Sequence, residues 1–224
     1  MTLSITVDVV SDVVCPWCFI GQKRLDRAIA ALPETRVEVR WRPYQLDATI
    51  PSAGMDRKDY MLAKFGSEER LREMHARIVP LGEAEGISFD FDAIKVSPNT
   101  LDAHRLIRWA GSQGNSVQNA LVRNLFQLYF EQGVDIGDHP ALIKAATQAG
   151  MDAPVVEALL AGDADSEAVS EEAATASRMG ITGVPCFLLE SKYAVMGAQD
   201  SATLADAIRQ VAEAKARGEL DSVG

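Results

Sequence analysis

The segment Val7-Asp8-Val9-Val10-Ser11-Asp12-Val13-Val14-Cys15-Pro16-Trp17-Cys18 sets two cysteines between two different periodicities. Upstream, Ile5, Val7 and Val9 alternate with Thr6, Asp8 and Val10, the period-two pattern of a strand. Downstream, Leu25, Ala28, Ile29 and Leu32 recur at i, i+3, i+4 and i+7, which predicts a helix that stops before Pro33. The cysteine pair therefore stands where a strand hands over to a helix.

That position gives the pair its chemistry. Unpaired N–H groups and the positive dipole end of a helix favour thiolate over thiol, so Cys15 is expected to titrate below ~8.5 and to be more ionised at neutral pH than Cys18 or Cys186. Cys18, one turn into the helix, is within disulfide reach and reads as the resolving thiol. Pro16 gives up an N–H that a first helical turn does not use and restrains the turn, and Trp17 is expected exposed beside the nucleophile, there either to contact substrate or, with Pro16, to tune the redox behaviour of the pair. Two other readings of the pair stand beside this one, an inert pair and half of a metal site. Zinc needs two further ligands, and His75, His104 and His139 stand singly in the sequence.

Working outward, Val37, Val39 and Trp41 alternate with Arg36, Glu38 and Arg40, a second strand that Pro43 ends. Strand, helix, strand predicts a right-handed parallel crossover. From about residue 55 to about 180 the strand signal disappears and helical periodicity replaces it. Ser97-Pro98 is expected to cap and open a helix carrying Ala103, Leu106, Ile107 and Ala110, and Asp138 to cap another around Pro140. Between Lys144 and Arg178 the only charges are acidic (Asp152, Glu157, Asp163, Asp165, Glu167, Glu171 and Glu172), read as solvated helix faces. Met55, Met61, Met74, Phe65, Phe89 and Phe91 are expected in the core or in a cleft wall. The strand pattern returns over Val184–Leu189 and Tyr193–Met196, joined by Glu190-Ser191-Lys192, and a last helix covers Ala202–Ala216.

The fold class that follows is α/β, with residues 1–50 and 180–224 forming one discontinuous unit and 51–179 an inserted helical domain. A chain of 224 residues, 47% apolar and 24% charged, can bury a sizeable core. Lys and Arg number 22 against 32 Asp and Glu, and a net charge of −10 argues against phosphate backbones and anionic lipid as partners. The opening Met1-Thr2-Leu3-Ser4-Ile5 shows no basic leader, and no window matches a membrane span, so a cytoplasmic location is expected. In a reducing compartment a Cys-x-x-Cys pair reads as redox or metal chemistry rather than as a structural disulfide.

Ile181-Thr182-Gly183-Val184-Pro185 opens the returning strand, and its proline cannot complete a central ladder. A trans bond is the ordinary state of such a proline; a cis bond beside the cysteines would turn the Val184 backbone outward as an edge for a substrate's backbone. Cys186 follows, and strand alternation places it in the sheet's interior as an inert thiol, with a disulfide to Cys15 as the competing reading.

Cys15-Pro16-Trp17-Cys18 after Ser11-Asp12-Val13-Val14, a helical stretch after Trp41-Arg42-Pro43, and Gly180-Ile181-Thr182-Gly183-Val184-Pro185 together resemble the DsbA family of the thioredoxin-fold superfamily, in its FrnE-like branch. The resemblance covers essentially the whole chain. It implies a thioredoxin fold interrupted by an all-helical domain, a cleft between the two, a cis bond at Val184-Pro185, Cys15 as nucleophile and Cys18 as resolving thiol. Asn99-Thr100, Ala103-His104 and Gly197-Ala198-Gln199 also look like family motifs, which brings Asn99, His104 and Gln199 in as substrate-binding candidates beside Pro16, Trp17, Val184 and Pro185. His104 has a bland reading too, a half-buried histidine satisfied by local hydrogen bonds. Related kappa-type glutathione transferases and 2-hydroxychromene-2-carboxylate isomerases bind glutathione at such a site but generally carry serine where this chain has Cys15.

The resemblance thus implies a thiol-disulfide oxidoreductase or isomerase with no bound cofactor, a thiol or disulfide substrate, and glutathione or another low-molecular-weight thiol as co-substrate; a homodimer is the partner reading beside it. The alternatives are a glutathione-dependent isomerase or transferase acting on an aromatic or polyketide-like molecule, and a non-catalytic binding module or chaperone.

Overall fold

A computed structural model describes residues 3–220. Met1-Thr2 and residues 221–224, which the sequence reading assigns to the outer segments, lie outside the described residues.

Strand β1 (Leu3–Ser11) leads into helix α1 (Pro16–Ala30) and strand β2 (Thr35–Pro43), which pairs parallel to β1 from Leu3 opposite Thr35 to Ser11 opposite Pro43. Strands β3 (Met55–Asp56) and β4 (Val96–Ser97) bracket helices α2 (Arg57–Phe65) and α3 (Glu68–Ala84). There follow α4 (Leu101–Gln113), α5 (Asn115–Gln132), α6 (His139–Gln148), α7 (Ala153–Leu160) and α8 (Ser166–Arg178). Strands β5 (Cys186–Leu189) and β6 (Tyr193–Met196) and helix α9 (Ser201–Ala216) complete the order. The main sheet runs β2-β1-β5-β6, with β5 antiparallel to both of its neighbours. This is a thioredoxin fold with a helical insertion. Among the described residues no helix is long and apolar enough to cross a membrane.

Four local expectations need correction. The stretch from 55 to 180 is not free of strands, because Met55 pairs with Ser97 and Asp56 with Val96. The helix after Ser97-Pro98 begins only at Leu101, with Thr100 in the cap position. Ser97 is committed to the β3–β4 ladder, and Asn99 supplies the side-chain acceptor, its Oδ1 taking the Leu101 N–H at 2.9 Å. The acids between 152 and 172 are not all solvated faces: Asp152 caps α7 through Val155 N–H, Asp165 accepts the Trp109 indole N–H at 2.8 Å, and Glu172 pairs with Arg42 and Arg108. The returning strand starts at Cys186, two residues later than its pattern suggests. Its hairpin turns through Glu190 and Ser191, both at positive φ (52° and 56°), the mirror-image turn whose twist suits two antiparallel strands.

The register divides the buried side chains between the two faces of the sheet. Val9 lies opposite Phe187 and Val7 opposite Leu189, and all four join the core that includes α1 and α9. Val10 lies opposite Cys186, and these pack on the other face with Ala176 of α8 and Ile181. Both faces of β1 are covered, so Asp8 is buried as well, held by Arg42 Nε at 2.7 Å.

The insertion shares the core of the sheet. Phe19 of α1 is fully buried and stacks on Phe126 of α5 with ring centroids 5.1 Å apart, and Phe130 and Phe89 lie at 6.1 Å. Arg105 of α4, also buried, closes the α7–α8 corner by donating to the carbonyls of Leu159, Gly162 and Ala164. Phe19→Ala should therefore lower the unfolding free energy by about 3–5 kcal/mol, the cost of emptying a packed aromatic site. Denaturant titration reads this as one cooperative transition with a shifted midpoint; a separate transition for the helical segment would contradict the shared core.

Candidate active site

Asp12, Val13 and Val14 turn the chain between β1 and α1, and the Cys15 N–H closes that turn on the Asp12 carbonyl at 3.0 Å. Cys15 is the N-cap of α1 with an extended backbone (φ −93°, ψ 114°), and Pro16 follows in the first turn, where its missing N–H costs nothing. The N–H groups of Cys18 and Phe19 donate to the Cys15 carbonyl at 3.0 and 3.3 Å, so the capping bonds run through the backbone and the thiol is not used in them.

Cys15, Cys18 and Cys186 are free thiols. Cys15 is 4% exposed, and that exposure opens into a cleft of about 340 Å³. Its Sγ lies 3.8 Å from the carbonyl oxygen of Val184, a contact spanning 169 positions of sequence. The Val184-Pro185 bond is cis, and the Pro185 carbonyl accepts the Gly197 N–H at 2.8 Å. α1 can lie this close because Gly21 faces the proline: a Cβ there would sit 2.8 Å from Pro185 Cγ and 3.2 Å from Phe187 Cζ. Gly21 has no signal in the sequence except its interruption of a helical pattern.

Cys18 is 1% exposed and lies behind Cys15. Burial, followed by the adjacent Cys15 sulfur, pushes the Cys18 thiol well above its ordinary value. Cys186 is fully buried on the far face of the sheet against Val10, Ala176 and Ile181, and burial raises its thiol too.

Of the residues singled out from sequence, Cys15, Pro16, Trp17 and Val184 line one cleft. Trp17, 39% exposed, stands at its mouth. Pro185 lies behind Val184 against Gly21. The other three candidates do not line it. His104 is buried, 2% exposed, with Nε2 3.3 Å from Asp12 Oδ1, so it touches the back of the site and not the cleft surface. Asn99 bridges Gln45 and the Ile50 carbonyl, fastening the segment after β2 to the start of α4. Gln199 is exposed and donates to the carbonyl of Met196, three residues back. Resemblance of motif brought these three in, and none of them is among the residues that line the cleft.

Asp12 is the residue the sequence reading passed over. It is 1% exposed, lines the cleft floor, and accepts the Leu46 N–H at 2.8 Å besides facing His104. An acid immediately after a buried strand and three residues before a cysteine pair was the available signal. The apolar wall comes from Met61, Phe65, Met74 and Phe91, whereas Phe89 packs in the interior beside Gly82 and Met55 is exposed on β3. Among the described residues no three His, Cys, Asp or Glu side chains converge to hold a metal ion.

Two outcomes follow from the thiols. Mild oxidation of the native protein should give a Cys15–Cys18 disulfide with Cys186 free, read by mass spectrometry of the digest, and a substantial Cys15–Cys186 linkage would contradict this placement. The second outcome is a pH dependence. A folded thiol held above its ordinary value keeps its proton where the unfolded chain has lost it, so folding stability falls as pH rises above about 8.5. Urea midpoints should therefore decline more steeply with alkaline pH in the reduced protein than after oxidation, which removes the Cys18 contribution. Tyr129, pushed up to about 12 by burial, adds a decline common to both forms at still higher pH.

Solved structures and sequence relatives agree with this architecture. The probable DsbA oxidoreductase of Streptomyces coelicolor is 30% identical, with a TM-score of 0.82 over 92% of this chain and 89% of that one. The uncharacterized protein YwbO of Bacillus subtilis (strain 168) is 26% identical over 196 residues, covering 84% of this chain and 88% of its own. The cytosolic disulfide reductase DsbM of Pseudomonas aeruginosa, solved with GSH, is 16% identical with a TM-score of 0.57 and covers 95% of this chain and 99% of its own. The model of the DSBA-like thioredoxin domain matches residues 6–209, a span running from the first strand into the last helix, and the chain belongs to that family.

Proposed function

We propose that the protein is a thiol-disulfide oxidoreductase that works through Cys15 and Cys18. The observation that carries this reading is the asymmetry of the pair: Cys15 meets the cleft beside the Val184 carbonyl, while Cys18 is buried behind it with its thiol held protonated. The Cys15 thiolate attacks a substrate disulfide, forming a Cys15–S bond as the substrate S–S bond breaks and releasing the first thiolate. Cys18 then gives up its proton and attacks Cys15 Sγ, releasing the second thiolate and leaving the Cys15–Cys18 disulfide. The two protons lost by the enzyme end on the two product thiols. Two molecules of a low-molecular-weight thiol, with glutathione the proposed one, return the enzyme to its dithiol state and leave as a disulfide. Val184 supports substrate docking, since its N–H has no hydrogen-bond partner among the described residues and its carbonyl faces Cys15. A reducing compartment, the cytoplasm, suits this cycle.

Serine at either position separates the steps. Cys15→Ser should reduce disulfide exchange to the background rate. Cys18→Ser should still be attacked by disulfide once and should accumulate a mixed disulfide on Cys15, visible as a mass increase equal to one half of the substrate. Normal turnover by Cys18→Ser would overturn the dithiol cycle and favour a glutathione-dependent isomerase or transferase.

A further inference from the structure

The cleft has a second chemical feature on the wall built by α2, β4 and α5. Arg57, the first residue of α2, donates its backbone N–H to the Lys95 carbonyl at 2.9 Å and its Nη1 to the Tyr129 hydroxyl, also at 2.9 Å. The guanidinium lies 5.7 Å from the centre of the Tyr129 ring, and Tyr129, fully buried, donates its own hydroxyl to the Val96 carbonyl at 3.4 Å. Arg57 is therefore fixed in place, yet it forms no ion pair among the described residues, and Nε and Nη2 have no acceptor there. Ser97, next along β4, is 3% exposed and lines the same cleft with a hydroxyl that has no hydrogen-bond partner among the described residues.

The carboxylates of this cleft do not answer Arg57. Asp12 is engaged by Leu46 N–H and His104, and Asp47 by the N–H and hydroxyl of Thr49. Lys64, also on the cleft, donates to the Tyr60 hydroxyl at 3.0 Å and adds a second positive charge. In a chain of net charge −10, a half-buried arginine with no acid and a buried hydroxyl with no partner among the described residues both leave hydrogen-bonding capacity unused. Much of the remaining lining is apolar, from Ile50, Met61, Phe65, Met74, Ile78 and Phe91. The volume of about 340 Å³ lies in the range of small-ligand pockets and admits one compact molecule.

We propose that Arg57 forms an anion subsite that selects thiol or disulfide substrates having an apolar body and a carboxylate. The apolar body fills the cleft, and the carboxylate accepts from the free nitrogens of Arg57, a charge-assisted contact strengthened by the surrounding apolar wall. This rests on the dithiol reading for its reaction but not for its recognition, and the two are tested apart.

The reaction is read in a single turnover of the reduced full-length protein. One disulfide is consumed, two thiolates leave, and the Cys15–Cys18 disulfide forms, so no added reductant is needed. The anionic aromatic disulfide 5,5′-dithiobis(2-nitrobenzoate) is compared with the neutral 4,4′-dithiodipyridine. Arg57→Gln should lower the rate with the carboxylate reagent by about tenfold, the size of one charge-assisted hydrogen bond, and leave the neutral reagent within about twofold. Arg57→Lys should fall between Arg57→Gln and the natural protein. An equal loss with both reagents, or no loss with either, would overturn the subsite. The second measurement needs no disulfide chemistry: 2-naphthoate should slow alkylation of Cys15 by iodoacetamide and 2-naphthamide should not, with the protection lost in Arg57→Gln. Equal protection by both ligands, protection by neither, or protection that survives Arg57→Gln overturns the subsite. If the natural protein exchanges with neither disulfide while naphthoate still protects, the dithiol cycle fails and the subsite stands.

Discussion

Val10 opposite Cys186 is the pairing on which the site depends. Two residues beyond Val10 the chain reaches Asp12, and two residues before Cys186 it reaches Val184, so the antiparallel register of β1 and β5 delivers these two to the same end of the sheet. The turn closed by Cys15 N–H on the Asp12 carbonyl then brings Sγ to 3.8 Å from the Val184 carbonyl. A slip of one residue would exchange the faces of β5, sending Phe187 out of the α1 core and Cys186 into it. The burial of both faces of β1 forbids that slip, because each face has its own set of complementary neighbours. The placement of Cys15 beside the Val184 carbonyl is thus a consequence of sheet pairing more than 160 residues apart in sequence.

The same logic explains why the insertion is an integral part of the molecule. Phe19 is the residue after Cys18, and its ring is clasped by Phe126 and Phe130 of α5. The first turn of α1 is consequently held on one side by the inserted helices and on the other by Gly21 against Pro185. Asp12 adds a polar tie across the same junction, joining the loop after β2 through Leu46 N–H and α4 through His104. Burying an acid with these partners is costly unless they are in place, which makes the junction sensitive to the position of α4.

Regular elements were legible because their causes are local. The alternation of residues 5–10 and 36–41, the proline after Cys15, the aspartate before His139 and the Glu190-Ser191 turn each act within a few residues, and each forms an element where its pattern lies. The errors have tertiary causes. Ser97 has the chemistry of a cap, but its backbone is taken by Met55 from forty-two positions away. Asp165 and Glu172 look like surface charge until Trp109, Arg108 and Arg42 are folded against them. His104 lies on the flank of its helix, which told nothing of whether the neighbouring surface would be cleft or Asp12. The two cysteines were legible for the opposite reason, since spacing and helix position together restrict what such a pair can do.

Arg57 was the least legible of the cleft residues. In sequence it sits among Asp56, Lys58 and Asp59, a mixed run that reads as an ordinary solvated helix start. Those neighbours are spent elsewhere: Asp56 caps α2 through Asp59 N–H, and Lys58 pairs with Glu68. Tyr129, fully buried in the middle of α5, turns Arg57 into a different object by giving its guanidinium a fixed acceptor and an aromatic face. Because Tyr129 neighbours Phe130, the aromatic cluster that holds Phe19 also anchors the tyrosine. Packing around one helix therefore sets both the start of α1, which carries Cys15, and the Arg57 guanidinium, so the relative placement of the thiol and the charge is fixed by the core and not by a flexible loop.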